Sequence, residues 1–373
     1  MTRSLLIDAL GAVIEIDGSA LTRHAWAAVE DAWSGASVVG GAATSPSATV
    51  KAHGTITTGS MLASLSIDVT LAALAQRAGE MLLLHAAGLA APDGGVVVLV
   101  GPSGRGKTTA ARVLGRHFGY VSDESIGIDA DGTVLPYRKP LSIIENPNFL
   151  KSQHSPQALG LLPVDGVPLR VTALVLLDRD DSVDGSRVEP TDVAEGLVGL
   201  AEQASYLGRL PRPLGTLLSH IAAVGGVRRV VYRDAASLVP VLSALAAQQP
   251  NHPSIPSGWD SGAASAVPAM TEMSVGTDDD AEPRYQRVPV IDAQALDLDR
   301  VALLLRRVDQ TTQVVVLDGI APAIWEATRR PVTLATLVSV TTARYAEPPQ
   351  PGAASLVAAA IEQMSAVGVL VRS

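Results

Sequence analysis

Short apolar runs and segments of helical period alternate along the first 247 residues. Runs of apolar or β-branched residues at 5–7, 12–16, 55–58 and 81–85 read as strands. The fully apolar stretches at 95–100, 171–177 and 227–232 read as buried strands. Residues 20–32, 67–80, 109–118, 194–207, 214–223 and 237–247 carry the apolar spacing of helices. Strands mixed with helices in this way predict an α/β fold. The pattern stops near 248. Residues 248–287 are rich in Ser, Pro, Gly and Asp without a sustained period, which predicts a flexible linker. Beyond it, strand-like runs at 287–291, 301–306 and 314–317 precede helical patterns at 321–328, 333–345 and 353–367. That order predicts a separate small α+β domain. The expected division is an N-terminal α/β subdomain (1–80), a second α/β domain (81–247), the linker (248–287) and a C-terminal domain (288–373).

One turn gives this pattern a chemistry. The apolar run 95–100 leads into Gly101-Pro102-Ser103-Gly104-Arg105-Gly106-Lys107-Thr108, and a helical pattern follows. Strand, glycine-rich loop and helix is the setting of a phosphate-binding loop. Glycines let backbone N–H groups face a polyphosphate with no Cβ in the way, and the helix N-terminus adds partial positive charge. Lys107 is one of only four lysines in the chain, and it falls where the motif reaches the terminal phosphates. The Thr108 hydroxyl is placed to join a Mg²⁺ shell. Gly101, Ser103, Gly104, Arg105, Gly106, Lys107, Thr108 and Thr109 are the candidate nucleotide-binding residues.

Composition removes several alternatives. The net charge of −9 is spread along the chain, which disfavours nucleic acid as a partner. The absence of cysteine excludes disulfides, thiolate nucleophiles and Cys-zinc sites. The first sixteen residues carry Asp8 and Glu15 inside their apolar run, unlike a signal peptide, and no stretch reads as a membrane span of ~20 apolar residues. The expectation is a soluble cytoplasmic protein with no membrane partner and with room for a homo-oligomer.

The flanks of the loop narrow the reading further. Upstream stands Leu82-Leu83-Leu84-His85, and downstream Ser122-Asp123-Glu124-Ser125. Histidine, loop and acid pair in this order resemble the HPr kinase/phosphorylase family, which shares its nucleotide-binding fold with phosphoenolpyruvate carboxykinases. The resemblance is strongest over 81–145. It implies an HPr kinase-like P-loop domain with ATP and Mg²⁺ as cofactors. By position it implies that Asp123 is the catalytic carboxylate, taking the proton of a substrate hydroxyl. It also implies that His85 lines the same site and that Glu124 helps hold Mg²⁺ together with Thr108. The acid pair here is Asp-Glu where that family has Asp-Asp, and the family's later glycine- and arginine-containing loop has no counterpart. On the residues alone a second acid competes. The apolar run 171–177 ends in Asp178, as a Walker-B strand does, and Asp178 would then hold the metal. Arg138, Lys139, Arg209 and Arg212 are further cations with phosphate or surface roles.

The C-terminal segment carries a second resemblance. Val314-Val315-Val316-Leu317-Asp318, Ala321-Pro322-Ala323-Ile324-Trp325-Glu326, Pro331-Val332-Thr333-Leu334, Ile361-Glu362-Gln363-Met364 and Gly368-Val369-Leu370-Val371 are similar to the PqqD family. Those are small winged-helix-like domains that bind leader peptides of ribosomally made natural products. The resemblance implies that a peptide adds as a strand beside 314–317, with Val314 and Val316 as peptide-binding residues and the 355–366 helix as the other wall. Trp325 reads as a core residue. Together the two resemblances imply an ATP-dependent kinase that phosphorylates a hydroxyl, Ser foremost, of a peptide or protein. The alternative is a non-catalytic ATP-binding switch that delivers a peptide.

Overall fold

A computed structural model of the chain describes residues 3–38, 45–54, 57–102, 104–143, 152–164, 166–248 and 282–372. The chain forms two compact units, Met1–Ser254 and Ile255–Ser373. The first unit is a mixed α/β structure. Its main sheet has six strands in the order Ser186–Pro190, Val227–Tyr232, Arg170–Arg179, Gly95–Val100, Ala86–Ala90 and Gly119–Ser122. The second, third and fourth of these run parallel, and Ala86–Ala90 runs antiparallel to Gly95–Val100. Gly95–Val100 is buried along its whole length, as its unbroken apolar run requires. Helices Lys107–Leu114 and Leu238–Ala246 pack Ala110, Leu114, Leu238 and Leu242 against Val97, Leu99 and Val175. On the other face, helix Val193–Ala201 comes close to the sheet, with Gly196 against Val227 and Gly199 against Leu176.

A second, antiparallel sheet runs Ala204–Ser205, Leu82–Leu84, Ile126–Ile128, Val134–Leu135. The helix expected over 194–207 ends early because Tyr206 takes a left-handed φ of 55° and Ala204–Ser205 pairs with Leu83–Leu84. The N-terminal strands Ser4–Ala9, Ala12–Asp17 and Ala48–Lys51 form a third sheet, covered by helices Arg23–Ala32 and Thr58–Arg77. The strand expected at 55–58 is not formed at its end. Residues 55–56 lie outside the described residues, and Thr57 caps a helix by accepting the Ser60 N–H at 3.1 Å. That helix therefore starts nine residues before the expected 67. By length and composition alone, 20 residues with a mean hydropathy of 1.4, it could cross a membrane, a test that a core helix also passes. Its Met61, Leu62, Leu65, Val69 and Ala73 enter the core beneath the N-terminal sheet. The same core takes in Met81, Leu83 and Tyr137, so residues 1–80 are packed onto the segment that follows.

Among the described residues, the second unit has two three-stranded antiparallel sheets and three helices. One sheet runs Asp292–Ala295, Val301–Arg306, Thr312–Leu317, and the other Val332–Thr333, Arg284–Arg287, Leu370–Arg372. The helices are Ala321–Ala327, Leu334–Tyr345 and Ala353–Ala366. Trp325 is 4 % exposed and lies in the core with Leu303, Leu337, Val357 and Ile361. Most of the linker expected over 248–287 lies outside the described residues, and its end does not hold, because Arg284–Arg287 is the middle strand of its sheet. Tyr285 packs on the core and the Arg287 guanidinium lies 4.1 Å from the Trp325 ring centroid. A fragment spanning 282–373 should therefore unfold in one cooperative thermal transition. A fragment starting at 288 removes the middle strand and should lose that transition, as circular dichroism will read.

Candidate functional site

The site follows from strand register. Ala86 pairs with Val100, so His85 falls across from Gly101, the first residue of the glycine loop. On its other side Ala86–Ala90 pairs with Gly119–Ser122, which brings Asp123 to the same end of the sheet. At His85 and at 123–125 the two strands leave the six-stranded sheet for the four-stranded one, where Leu84 pairs with Ile126. The Ala86 N–H donates to the Glu124 carbonyl at 3.1 Å and closes this crossing. Ser122, fully buried, accepts the N–H groups of Glu124 and Ser125 at 3.3 and 3.2 Å. A short hydroxyl side chain that bonds the next backbone N–H groups sets the turn that presents both acids.

The loop is held from two directions. Gly104 and Gly106 have φ of 83° and 93°, a conformation that glycine adopts without steric cost. The Tyr232 hydroxyl donates to the Arg105 carbonyl at 3.1 Å, and a Cβ on Gly106 would stand 2.8 Å from that hydroxyl. Lys107 folds back along the loop, donating from Nζ to the Gly101 and Pro102 carbonyls at 2.5 and 3.3 Å. Burial holds its pKa below the ordinary lysine value, against the opposing pull of Glu124 and Asp123.

A cavity of about 350 Å³ opens between the loop and the acids. Its lining contains His85, Gly104, Gly106, Lys107, Thr108, Thr109, Asp123 and Glu124, all expected from sequence, Lys139, read there as a phosphate or surface cation, and also Arg112, Ser142 and Ile143. Asp123 is 3 % exposed and accepts the Tyr120 hydroxyl at 2.9 Å. Burial, followed by the charge of Asp123, pushes the Tyr120 phenol well above its ordinary range, so it stays a donor. Lys139 is 2 % exposed and forms an ion pair with Glu124, whose side chain is 40 % exposed. Burial alone would lower the Lys139 pKa, but Asp123, Glu124 and Tyr137 outweigh it and the net shift is upward. The His85 imidazole is held below its ordinary value by burial and then by Lys107.

Other expected residues lie elsewhere. Ser103 is outside the described residues. Gly101 stands under the loop as the acceptor for Lys107, and the exposed Arg105 is not in the lining. Asp178 is also outside it, paired with Arg229 at 3.3 Å, and Arg229 reaches Glu195 as well. Arg138 bonds the Tyr120 carbonyl at 3.2 Å, and Arg209 stacks on Tyr206 at 4.8 Å, so neither faces the cavity. In the second unit Val314 and Val316 sit on Thr312–Leu317, which ends its strand order. Val315 and Leu317 alternate onto the core, leaving Val314 and Val316 on the opposite face.

The donor set fits a nucleoside triphosphate with Mg²⁺. Three cations (Lys107, Arg112, Lys139) and two carboxylates surround a space below a helix N-terminus. No cluster of three or more His, Cys, Asp or Glu capable of holding a metal occurs among the described residues. Mg²⁺ does not need one, because it takes one or two protein oxygens and completes its shell with phosphate oxygens and water. Thr108 and Glu124, both in the lining, would supply such oxygens.

No family model matches the chain, and no curated protein matches it. Among solved structures, the HPr(Ser) kinase/phosphatase from Coxiella burnetii is similar over 44% of this chain and 92% of that one. The identity is 14% and the TM-score 0.24, a likeness too loose to carry an argument. What the site can do therefore rests on its own geometry.

Two outcomes follow from that geometry. Tyr120→Phe should cost about 1–3 kcal/mol by urea unfolding, because it leaves a buried carboxylate short of a donor. The second concerns acid. His85 and the buried His220, which burial also holds below its ordinary value, stay neutral when folded and bind protons readily when unfolded. The unfolded chain then binds more protons below its ordinary histidine pKa of about 6.5. Stability should be full above that pH and fall as pH drops toward the depressed folded values. In thermal scans from pH 7 to 5, His85→Gln should lose less than wild type.

Proposed function

We propose that the chain binds Mg·ATP in this cavity and transfers the γ-phosphoryl group to a hydroxyl of a peptide or protein, with serine the foremost acceptor. One observation carries the proposal. A glycine loop, its lysine, two further cations and a buried, hydrogen-bonded carboxylate converge on one cavity large enough for a polyphosphate. The order of His85, loop and acid pair, which resembles the HPr kinase family, supports the same reading.

The chain's own residues divide the work. The loop N–H groups and Lys107 hold the β- and γ-phosphates and pre-organise the leaving side. Thr108 and Glu124 would hold Mg²⁺, which when bound neutralises phosphate charge. Asp123 accepts the proton of the acceptor hydroxyl as that oxygen attacks phosphorus, while Tyr120 fixes the carboxylate. His85, neutral at pH 7, packs beside the acids and leaves the cavity's positive charge to the lysines and Arg112. The second unit, read as a PqqD-like winged helix, would hold the peptide along Thr312–Leu317, with Val314 and Val316 on the contacting strand.

A second reading has one observation in its favour. Asp123 is 3 % exposed and already bonded to Tyr120, an arrangement that also suits a carboxylate with no proton to take. In that reading the cavity binds ATP as a switch and the second unit delivers a peptide to another protein. Asp123→Asn separates the two. As a kinase, the variant should lose about 10²–10⁴-fold in turnover while ATP affinity stays within about tenfold. Asp178→Asn should leave turnover near wild type, since its ion pair lies outside the cavity. The measurements are calorimetry with Mg·ATP and transfer of labelled phosphate to protein in a cell extract. ATP binding without any labelled acceptor would favour the switch.

A further inference from the structure

We propose that Lys139 is a second phosphate-binding cation, held ready by Glu124 and handed to a triphosphate when that carboxylate moves away. This rests on the reading of the cavity as a polyphosphate site. Lys139 is among the least exposed charged groups described, at 2 %, yet it lines the cavity. Taking an ammonium out of water is costly, and a buried ion pair seldom repays that cost as stability alone. The partner is also unequal. Glu124 keeps its side chain 40 % exposed, so it can swing toward water, whereas Lys139 cannot.

The neighbouring groups are already engaged. Asp123 holds the Tyr120 hydroxyl, and Lys107 is tied to two loop carbonyls. Tyr137, two residues before Lys139, is fully buried, its pKa raised by burial to about 12, and it lies within hydrogen-bond distance of Thr70 at 3.3 Å. Lys139 is thus fixed at its base, lines the cavity, and is balanced there by the charges of Asp123 and Glu124, of which Glu124 is its partly exposed ion-pair partner. A phosphate oxygen offers the same charge-assisted contact as that carboxylate. The exchange costs no new burial of the ammonium, which is the expensive step.

A double-mutant cycle on the full chain tests this, with calorimetry of ATP and AMP in excess EDTA so that no metal takes part. Lys139→Met should weaken metal-free ATP about tenfold or more, the loss of one charge-assisted contact, and leave AMP nearly unchanged. Glu124→Gln should tighten ATP, because it frees Lys139. In the Lys139→Met background that tightening should largely vanish. If Glu124→Gln tightens ATP equally in both backgrounds, the carboxylate merely repels phosphate and the inference fails. If Glu124→Gln leaves ATP binding unchanged or weaker, it also fails, even should Lys139→Met not fold. Lys107→Ala is measured alongside. ATP weakened by Lys107→Ala but not by Lys139→Met would sink this inference alone. ATP indifferent to both, or not bound by wild type, would sink the reading of the cavity itself.

Discussion

The antiparallel pairing of Ala86–Ala90 with Gly95–Val100 is the constraint on which the site depends. It fixes His85 opposite the start of the glycine loop, and through Gly119–Ser122 it fixes the acid pair beside both. A slip of one residue would turn every side chain of Ala86–Ala90 to the other face. Burial of all five of its residues opposes such a slip. The crossing into the second sheet, closed by the Ala86–Glu124 bond, then keeps His85 and Asp123 at the corner between two sheets. The cavity is the space that this corner and the loop leave between them.

Charge placement in that space follows a clear division. Asp123 is immobilised by a phenol, and Lys107 by the loop's own carbonyls. In the Lys139–Glu124 pair the lysine is buried and the glutamate partly exposed. The loop in turn is anchored by Tyr232 from the strand Val227–Tyr232, two strands away in the sheet from Gly95–Val100. The site is therefore held by supports from several strands and from the loop itself.

The glycine loop was legible because its constraints are local. Left-handed turns at Gly104 and Gly106 demand glycine at those spacings, and the following helix supplies the lysine. His85 and Asp123 were legible only through their order around the loop, since no local rule brings them together. Lys139 reads from sequence equally as a phosphate contact or a turn flank, because its orientation depends on packing around Tyr137. Tyr120 and Tyr232 carried no signal beyond ordinary core aromatics. The strand Arg284–Arg287 was hidden because Arg-Tyr-Gln-Arg has no apolar run and pairs with residues near 332 and 370. The helix Thr58–Arg77 lost its first half to Thr, Gly and Ser, residues with modest helix preference that burial and an N-cap overrode.

Tyr137 ties the N-terminal region to the cavity, a link that its distance in sequence conceals. Its ring belongs to the core formed by residues 7–83, and its N–H donates to the Val121 carbonyl at 3.1 Å, next to the acid-bearing turn. The same short segment presents Lys139 two residues on. The first eighty residues are thus a wall of the foundation rather than an appendage. A chain trimmed to begin at the glycine-loop domain would bare Met81, Leu83 and Tyr137 together. It would lose the footing of a cavity lysine before losing a single cavity residue. Insertions and fusions that leave the loop untouched still meet this limit, and a tag is better joined elsewhere than within the strands and helices that close over Tyr137.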